Sequence, residues 1–329
     1  MGMNNSEPLI SVVLPTFNGA RHLKEAIESC LNQTWSNLEL IIVDDHSTDQ
    51  TPEIIKRFAA RDERVQSLRH DTNRKLPAAL NSGLAKARGG FCTWTSDDNI
   101  YGPEALERMT AFLNENEDVD VVYTGYSRID DAGRLSSAGS ILAPEYLGYR
   151  GNVITPCFLF RRAVYEWVNG YAEDLFLAED YFFWLCAAGK FRFAALPEDL
   201  YRYREHSSSL TGQKKEAVYR VTLTALERAL DRVDKARRTL RAGIIIHLAA
   251  LWLHFGEAKR ARRLFFSALS VAPLTSSHRT KKGLIARLLL GTSIVTPLLT
   301  DPAADASTNL RTGEADTICD NVRNFFPKR

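Results

Sequence analysis

Two short runs near the start of the chain, Leu9–Leu14 (LISVVL) and Leu38–Val43 (LELIIV), are almost continuously apolar and rich in β-branched residues. That composition fits parallel strands buried on both faces and not the one-sided alternation of a half-exposed sheet. Between them Leu23, Ala26, Ile27, Cys30 and Leu31 recur at helical spacing, which makes the segment a β-α-β unit. A second helix is signalled by Asp49 or Thr51 as N-cap, Pro52 in the first turn and the stripe Ile54, Ile55, Phe58. A third carries Leu76, Ala79, Leu80, Gly83, Leu84 and Ala87 and stops at Gly89-Gly90, ahead of a strand over Phe91–Thr95. Pro103 opens a fourth, with Leu106, Met109, Phe112 and Leu113 on one face, followed by a strand over Val119–Tyr126. Strands alternating with helices in this way predict an α/β fold with a doubly wound, mostly parallel sheet.

After Tyr126 the pattern loosens, and Gly133, Gly139, Pro144, Gly148 and Gly151 mark a loop-rich stretch. An apolar run at Cys157–Phe160 and a helix around Asp180–Ala188 follow. From about Lys214 to Leu290 the chain reads as helical, and Thr300–Arg329 is polar with little periodicity, as expected of a flexible tail. Ala261, Phe265, Ala268 and Pro273, with Gly256 at the preceding turn, fall at the spacings of the second helix of a tetratricopeptide repeat. A lone helix pair cannot bury its own faces, so this unit reads as architecture and not as a peptide-binding array.

The five cysteines are scattered, with no CxxC or Cys/His cluster, which argues against a disulfide framework or a structural zinc site and suits a reducing cytoplasm. The N-terminus MGMNNSEP lacks a basic segment followed by an apolar run, so no signal peptide is expected. Between Arg228 and Leu290 there are 14 Lys/Arg against 3 Asp/Glu, interleaved with apolar residues, although the whole chain carries only +2. Such a segment suits the anionic surface of a membrane. Ala242–Leu253 is too short to span a bilayer, and Gly283–Leu299 is interrupted by Arg287 and Pro297. The expectation is therefore peripheral contact at the cytoplasmic face, the alternative being that these apolar stripes are the core of a helical subdomain.

In a parallel sheet the ligand crevice lies at the carboxyl ends of the strands. Three candidate segments sit there: PTFN (Pro15–Asn18), Asp44-Asp45 in VDDHSTDQT, and the paired carboxylates Asp97-Asp98 in TSDDN. Together they bring several acceptor oxygens to one crevice, the usual way to hold a hard divalent cation against a nucleoside diphosphate. Neither GxGxxG nor GxxxxGK[ST] occurs, which argues against a dinucleotide-binding dehydrogenase and a P-loop enzyme.

ISVVLPTFN, QTWSNLELIIVDDHSTDQT, LNSGLAKARGGF and TSDDN, in this order, resemble the family 2 glycosyltransferases of the GT-A fold over roughly the first 205 residues. The resemblance implies an inverting transfer of sugar from a nucleotide-sugar donor, with Mn²⁺ or Mg²⁺ as cofactor. Pro15, Thr16 and Phe17 would contact the nucleoside, and Asp45 would accept a hydrogen bond from the base. A carboxylate there favours uracil, whose N3 is a donor, and hence a UDP-sugar. Asp44 would orient its neighbour or the following turn. Lys75, less so Arg74, would neutralise diphosphate oxygens. Asp97 would face the ribose or the metal shell and Asp98 would ligate the cation, with Ser96 standing where the family more often has an acid. LAEDYFFWL matches the family's acidic ED motif, so Asp180 is assigned as the base that takes the acceptor's proton, with Glu179 as second choice and a neighbour of the sugar or acceptor. Trp184, one helical turn on, is either a platform for a sugar ring or core.

YRYREHSSSLTG resembles the family's closing loop, in which His206 would reach the metal or the diphosphate and Ser208 or Ser209 would hydrogen bond beside it. The processive enzymes' QxxRW is absent, which favours addition of a single sugar. The acceptor implied is a hydroxyl of a surface polysaccharide or lipid-linked glycan, with no nucleic-acid partner, and the apolar helical appendage offers a surface for a homodimer. The domain boundaries expected are 8–212 for the transferase domain, 213–300 for the helical subdomain and 301–329 for the tail. A catalytically silent scaffold of the same fold, recruiting partners through its helices, is the alternative; crowded carboxylates with no task argue against it.

Overall fold

The computed structural model describes residues 7–205 and 215–272. His206, Ser208, Ser209 and the expected tail lie outside the described residues. The chain divides into two compact units: one comprises the residues through Leu147 together with Asn152–Asp234, the other Gly148–Gly151 and the chain from Lys235.

In chain order the strands are β1 (Ile10–Thr16), β2 (Leu38–Asp44), β3 (Val65–Arg69), β4 (Phe91–Trp94), β5 (Ile100–Tyr101), β6 (Val121–Ile129), β7 (Leu135–Ala138), β8 (Phe158–Arg161) and β9 (Phe193–Arg204). The helices are α1 (Leu23–Leu31), α2 (Thr51–Ala59), α3 (Lys75–Lys86), α4 (Ala105–Glu115), the single turn α5 (Leu147–Arg150), α6 (Arg162–Val168), α7 (Glu179–Ala188), α8 (Lys215–Arg232), α9 (Arg238–His254) and α10 (Ala258–Val271).

The sheet runs β3-β2-β1-β4-β8-β6-β9-β5, with β7 paired to β6. Its first half is parallel, and every residue of β1 and β2 is buried, as the apolar runs require. The α/β fold class read from the chain holds, and its second half is mixed: β8 is antiparallel to both β4 and β6, while β6 and β9 are parallel. The core packs Ile10, Val12 and Leu14 with Leu23 and Ile27 of α1, Leu40 and Ile42 of β2, and Leu106 and Met109 of α4. Each such side chain contributes roughly 1.5–3 kcal/mol on burial.

Register builds the crevice. Pro15 and Thr16 lie level with Val43 and Asp44 across the β1–β2 ladder. On the other side, the Thr95 amide donates to the Val13 carbonyl, which carries the chain from β4 into Ser96–Asn99 beside the end of β1. The three acidic or polar segments thus leave the sheet at adjacent positions.

In the second unit α9 and α10 form a hairpin whose turn is Gly256, with φ +82°. Ala261, Phe265 and Ala268 are buried, as the repeat-like spacing requires of a packed second helix, whereas Pro273 lies outside the described residues. Ala242–Leu251 of α9 is buried throughout, so this apolar stretch is the interior of a helical unit. Among the described residues no helix is long and apolar enough to cross a membrane.

Candidate active site

The strand ends open into a cavity of about 770 Å³. One wall is the pair of loops after β1 and β2, zipped together by polar contacts. The Asn18 amide donates to Ser47 Oγ (2.9 Å), the Thr48 amide to Asn18 Oδ1 (2.8 Å) and the Ala20 amide to Asp49 Oδ2 (3.1 Å). Asn18 takes a left-handed φ of +55°, a conformation asparagine tolerates better than most residues. The bend leaves Phe17 48% exposed at the cavity, an apolar face in reach of a flat ligand.

Asp44 and Asp45 divide their labour. Asp44 Oδ1 accepts the Ser47 amide and its Oδ2 pairs with Arg69, so it holds the turn. Asp45 lines the cavity and accepts the amides of Arg74 (2.8 Å) and Lys75 (2.7 Å). His70 Nδ1 lies 2.7 Å from Asp45 Oδ1, while its Nε2 lies 2.9 Å from Ser82 Oγ. A carboxylate offers about four acceptor sites, so three donors leave one for a ligand N–H. Reading the sequence missed His70; its place just past the end of β3 was the available signal. The Arg74 guanidinium pairs with Glu173 (3.3 Å), whereas Lys75, exposed and lining the cavity, sits at φ +73°.

The third segment is the acidic centre. Thr16 Oγ1 donates to Asp97 Oδ2 at 2.5 Å. Gly19 permits this approach, because a Cβ there would come within 2.0 Å of Asp97 Oδ2. Burial pushes the Asp97 carboxyl up to about 7, and the neighbouring charge of Asp98 adds to the rise. Two adjacent carboxylates that resist ionising together are suited to a divalent cation, which would stabilise both charges. Among the described residues no group of three His, Cys, Asp or Glu could hold a metal by itself. Asp97 and Asp98 would therefore supply part of an oxygen shell and leave positions for phosphate oxygens and water.

Arg204, at the end of β9, is a second residue that reading the sequence missed. Its side chain is 1% exposed. Nε donates to the Asp98 carbonyl (2.8 Å), Nη1 to the carbonyls of Asp130 (3.2 Å) and Asp131 (3.1 Å), and Nη2 to Glu25 Oε2 (2.5 Å). Its own amide donates to Asn99 Oδ1 (2.8 Å). One guanidinium thus fixes the backbone of the acidic segment from behind.

The opposite wall carries Glu179 and Asp180 at the start of α7. Leu177, two residues ahead, has φ +83°, a strained conformation for a branched side chain at a cavity edge. Asp180 is half-buried, with Asn152 Nδ2 donating to its Oδ2 at 2.8 Å and the Tyr181 amide to its Oδ1. Glu179 is 4% exposed, and its Oε2 has no hydrogen-bond partner among the described residues. Burial raises both carboxyls, and the charge of Asp180 raises Glu179 further. The more buried Glu179 is the better holder of a shared proton, which leaves Asp180 ionised and able to accept one.

Because Asp180 is raised, its proton-accepting form is lost as pH falls through a value above the ordinary aspartate range. The acid limb of a rate profile should lie there. Asn152→Ala removes a hydrogen bond that favours the ionised form and should shift that limb to higher pH, measurable in the pH dependence of kcat/KM.

Trp184 corrects one expectation. It is 1% exposed and packs edge-on against Phe158, Phe160 and Phe183, with ring centroids 4.9–5.9 Å apart. It borders the cavity floor but offers no open face on which a sugar ring could stack.

A parallel α/β half with carboxylates at adjacent strand ends, closed by a mixed half that carries a second acidic pair, is the GT-A arrangement of a glycosyltransferase. The chain belongs to glycosyl transferase family 2: residues 11–167 match the model of that family. A relative named as a glycosyltransferase, EpsE of Bacillus subtilis, is 33% identical over 211 residues, 62% of this chain and 76% of the relative. Among solved structures, S. aureus TarS 1–349 in complex with UDP-GlcNAc aligns with a TM-score of 0.62 at 18% identity, covering 85% of this chain and 81% of that one. The mannosyltransferase PcManGT from Pyrobaculum calidifontis, in complex with GDP-Man and Mn²⁺, aligns with a TM-score of 0.61 at 17% identity, covering 93% and 89%. At these identities the two structures show the shared fold.

Proposed function

We propose that the protein transfers one hexosyl or hexosaminyl unit from a nucleotide-sugar, most simply a UDP-sugar, to a hydroxyl of a surface polysaccharide or lipid-linked glycan, inverting the anomeric centre. The observation that carries this reading is the convergence on one cavity of Asp45 with a spare acceptor site, the Asp97–Asp98 pair and the Glu179–Asp180 pair. Pro15, Thr16 and Phe17 border the nucleoside, and Asp45, fixed by His70 and two amides, accepts the uracil N3–H. Asp98, with Asp97 beside it, holds Mn²⁺ or Mg²⁺, which supplies positive charge against the departing diphosphate. Asp180 takes the proton of the acceptor hydroxyl as its oxygen bonds to the anomeric carbon and the bond from that carbon to the diphosphate oxygen breaks. Glu179 keeps the shared proton beside it.

His206, with Ser208 or Ser209, completes the diphosphate contacts in this reading. The transferase domain starts near residue 8 and, because α8 belongs to the first unit, continues to Asp234 rather than ending at 212. The helical unit follows, with peripheral attachment to the cytoplasmic face of a membrane and homodimer formation as further parts of the proposal.

Lys75 bears on the donor directly. A lysine at φ +73° costs about 1 kcal/mol relative to glycine, so a side chain kept there has a use. Lys75→Gly should leave thermal stability equal or slightly higher and raise the donor KM about tenfold through loss of a charge near the phosphates. Unchanged donor KM would remove Lys75 from the site.

The reading is tested by release of UDP from a panel of UDP-sugars with Mn²⁺, GDP-mannose serving as comparator, for the wild type and for Asp98→Ala and Asp180→Ala. Both variants should lose turnover. Wild-type turnover in both would show that the site is misassigned.

A further inference from the structure

We infer that the exposed face of α10 is a docking surface for an anionic lipid bilayer. Lys259, Arg262, Arg263, Phe266, Ser267 and Ser270 are all exposed and recur at i, i+3, i+4, i+7, i+8 and i+11, which places them on one stripe of the helix. The opposite stripe, Ala261, Phe265 and Ala268, is buried within the protein, so this face is the one presented outward. It carries three cations and no acid, and in its middle Phe266 is 54% exposed.

The hairpin extends the charge. Arg238 Nε donates to the Val271 carbonyl at 2.7 Å, so the start of α9, preceded by the exposed Lys235 and Arg237, lies against the far end of α10. Cations therefore flank Phe266 along both directions of the stripe. Arg260 does not join them, since its guanidinium carbon stands 3.7 Å from the Trp252 ring centroid.

An apolar ring between basic side chains matches the boundary of an anionic bilayer, where the ring enters the acyl edge and the long cationic stems reach headgroup phosphates. Each cation so placed adds about fivefold to affinity at low salt. The charge distribution favours a planar partner over an extended polyanion. The segment Arg228–Leu290 holds 14 Lys/Arg and 3 Asp/Glu within a chain of net charge +2, so the remainder is acidic and would be repelled by a polyanion wrapping the molecule. This surface deepens the reading of a transferase that meets lipid-linked acceptors, and it rests on that reading only for its purpose.

The test is flotation of the full chain with vesicles of phosphatidylcholine alone or mixed with phosphatidylglycerol, alongside turnover of a soluble UDP-sugar. The wild type should float with the mixed vesicles at low salt, fail to float with phosphatidylcholine, and be released by salt. The triple variant K259E, R262E and R263E should lose about tenfold or more in bound fraction, and F266S should weaken the binding that survives moderate salt. Donor turnover should be unchanged in both. A wild type that stays unbound at low salt, a triple variant that floats like the wild type, or binding to duplex DNA without binding to vesicles would each overturn the inference. Flotation that responds to the variants in a protein without donor turnover would keep the surface and overturn the transferase reading instead.

Discussion

Asp180→Asn should lower turnover about a thousandfold while leaving UDP affinity close to that of the wild type. A positioned general base is worth roughly 10²–10⁴ in rate, and asparagine removes proton acceptance with almost no change of shape. The amide oxygen of the new side chain can still accept Asn152 Nδ2, so the start of α7 keeps its geometry. Glu179→Gln is the informative companion. If Glu179 only retains a proton beside the base, this variant should keep much of the turnover and shift the acid limb of the profile to lower pH, because a nearby negative charge is removed. The loss falling on Glu179→Gln instead would exchange the two roles.

The second large effect belongs to a residue distant from the transferred sugar. Arg204→Met should cost about 3 kcal/mol of stability and also weaken cation-dependent nucleotide binding. Three backbone carbonyls, those of Asp98, Asp130 and Asp131, lose their donors together, and each buried acceptor left unsatisfied costs about 1–3 kcal/mol before relaxation. Glu25 is 53% exposed and regains solvent, so its lost ion pair adds little. Arg204→Lys should recover only a fraction, because an ammonium on a flexible stem cannot serve the positions of a planar fork at once. Thermal melting gives the stability part. Mn²⁺-dependent UDP binding by the folded variant gives the part that passes through the Asp98 main chain.

The sequence exposes those parts of the molecule whose physics is local. β1 and β2 are legible because burial on both faces forces an unbroken apolar run, and α1 to α4 because one face of each must be apolar. The strand ends inherit their placement from the parallel topology, so Asp45, Asp97 and Asp98 can be found together before any coordinates exist. β9 is hidden for a definite reason. Its partner residues step from Leu196 opposite Thr124 to Asp199 opposite Gly125, which leaves Pro197 and Glu198 in a bulge that breaks both the apolar run and the alternation.

His70 and Arg204 are hidden for another reason. Their roles are bonds to a carboxylate 25 positions away and to carbonyls as far as 106 positions away, and such pairings leave no periodic trace. Trp184 shows the converse limit. Helical spacing puts it one turn from Asp180, but only packing against Phe158, Phe160 and Phe183 shows that its ring is enclosed.

The central claim is a nucleoside-diphosphate pocket completed by a cation at the Asp97–Asp98 pair, and titration calorimetry of UDP into the full chain, with Mn²⁺ and then with a chelator, tests it without knowledge of the acceptor. The account predicts binding with Mn²⁺, a loss of about tenfold or more in affinity on chelation, no Mn²⁺ enhancement in Asp98→Ala, and wild-type behaviour in Asp180→Asn. Absence of UDP binding in the presence of Mn²⁺, or an Asp98→Ala variant that keeps the full Mn²⁺ enhancement, would contradict it.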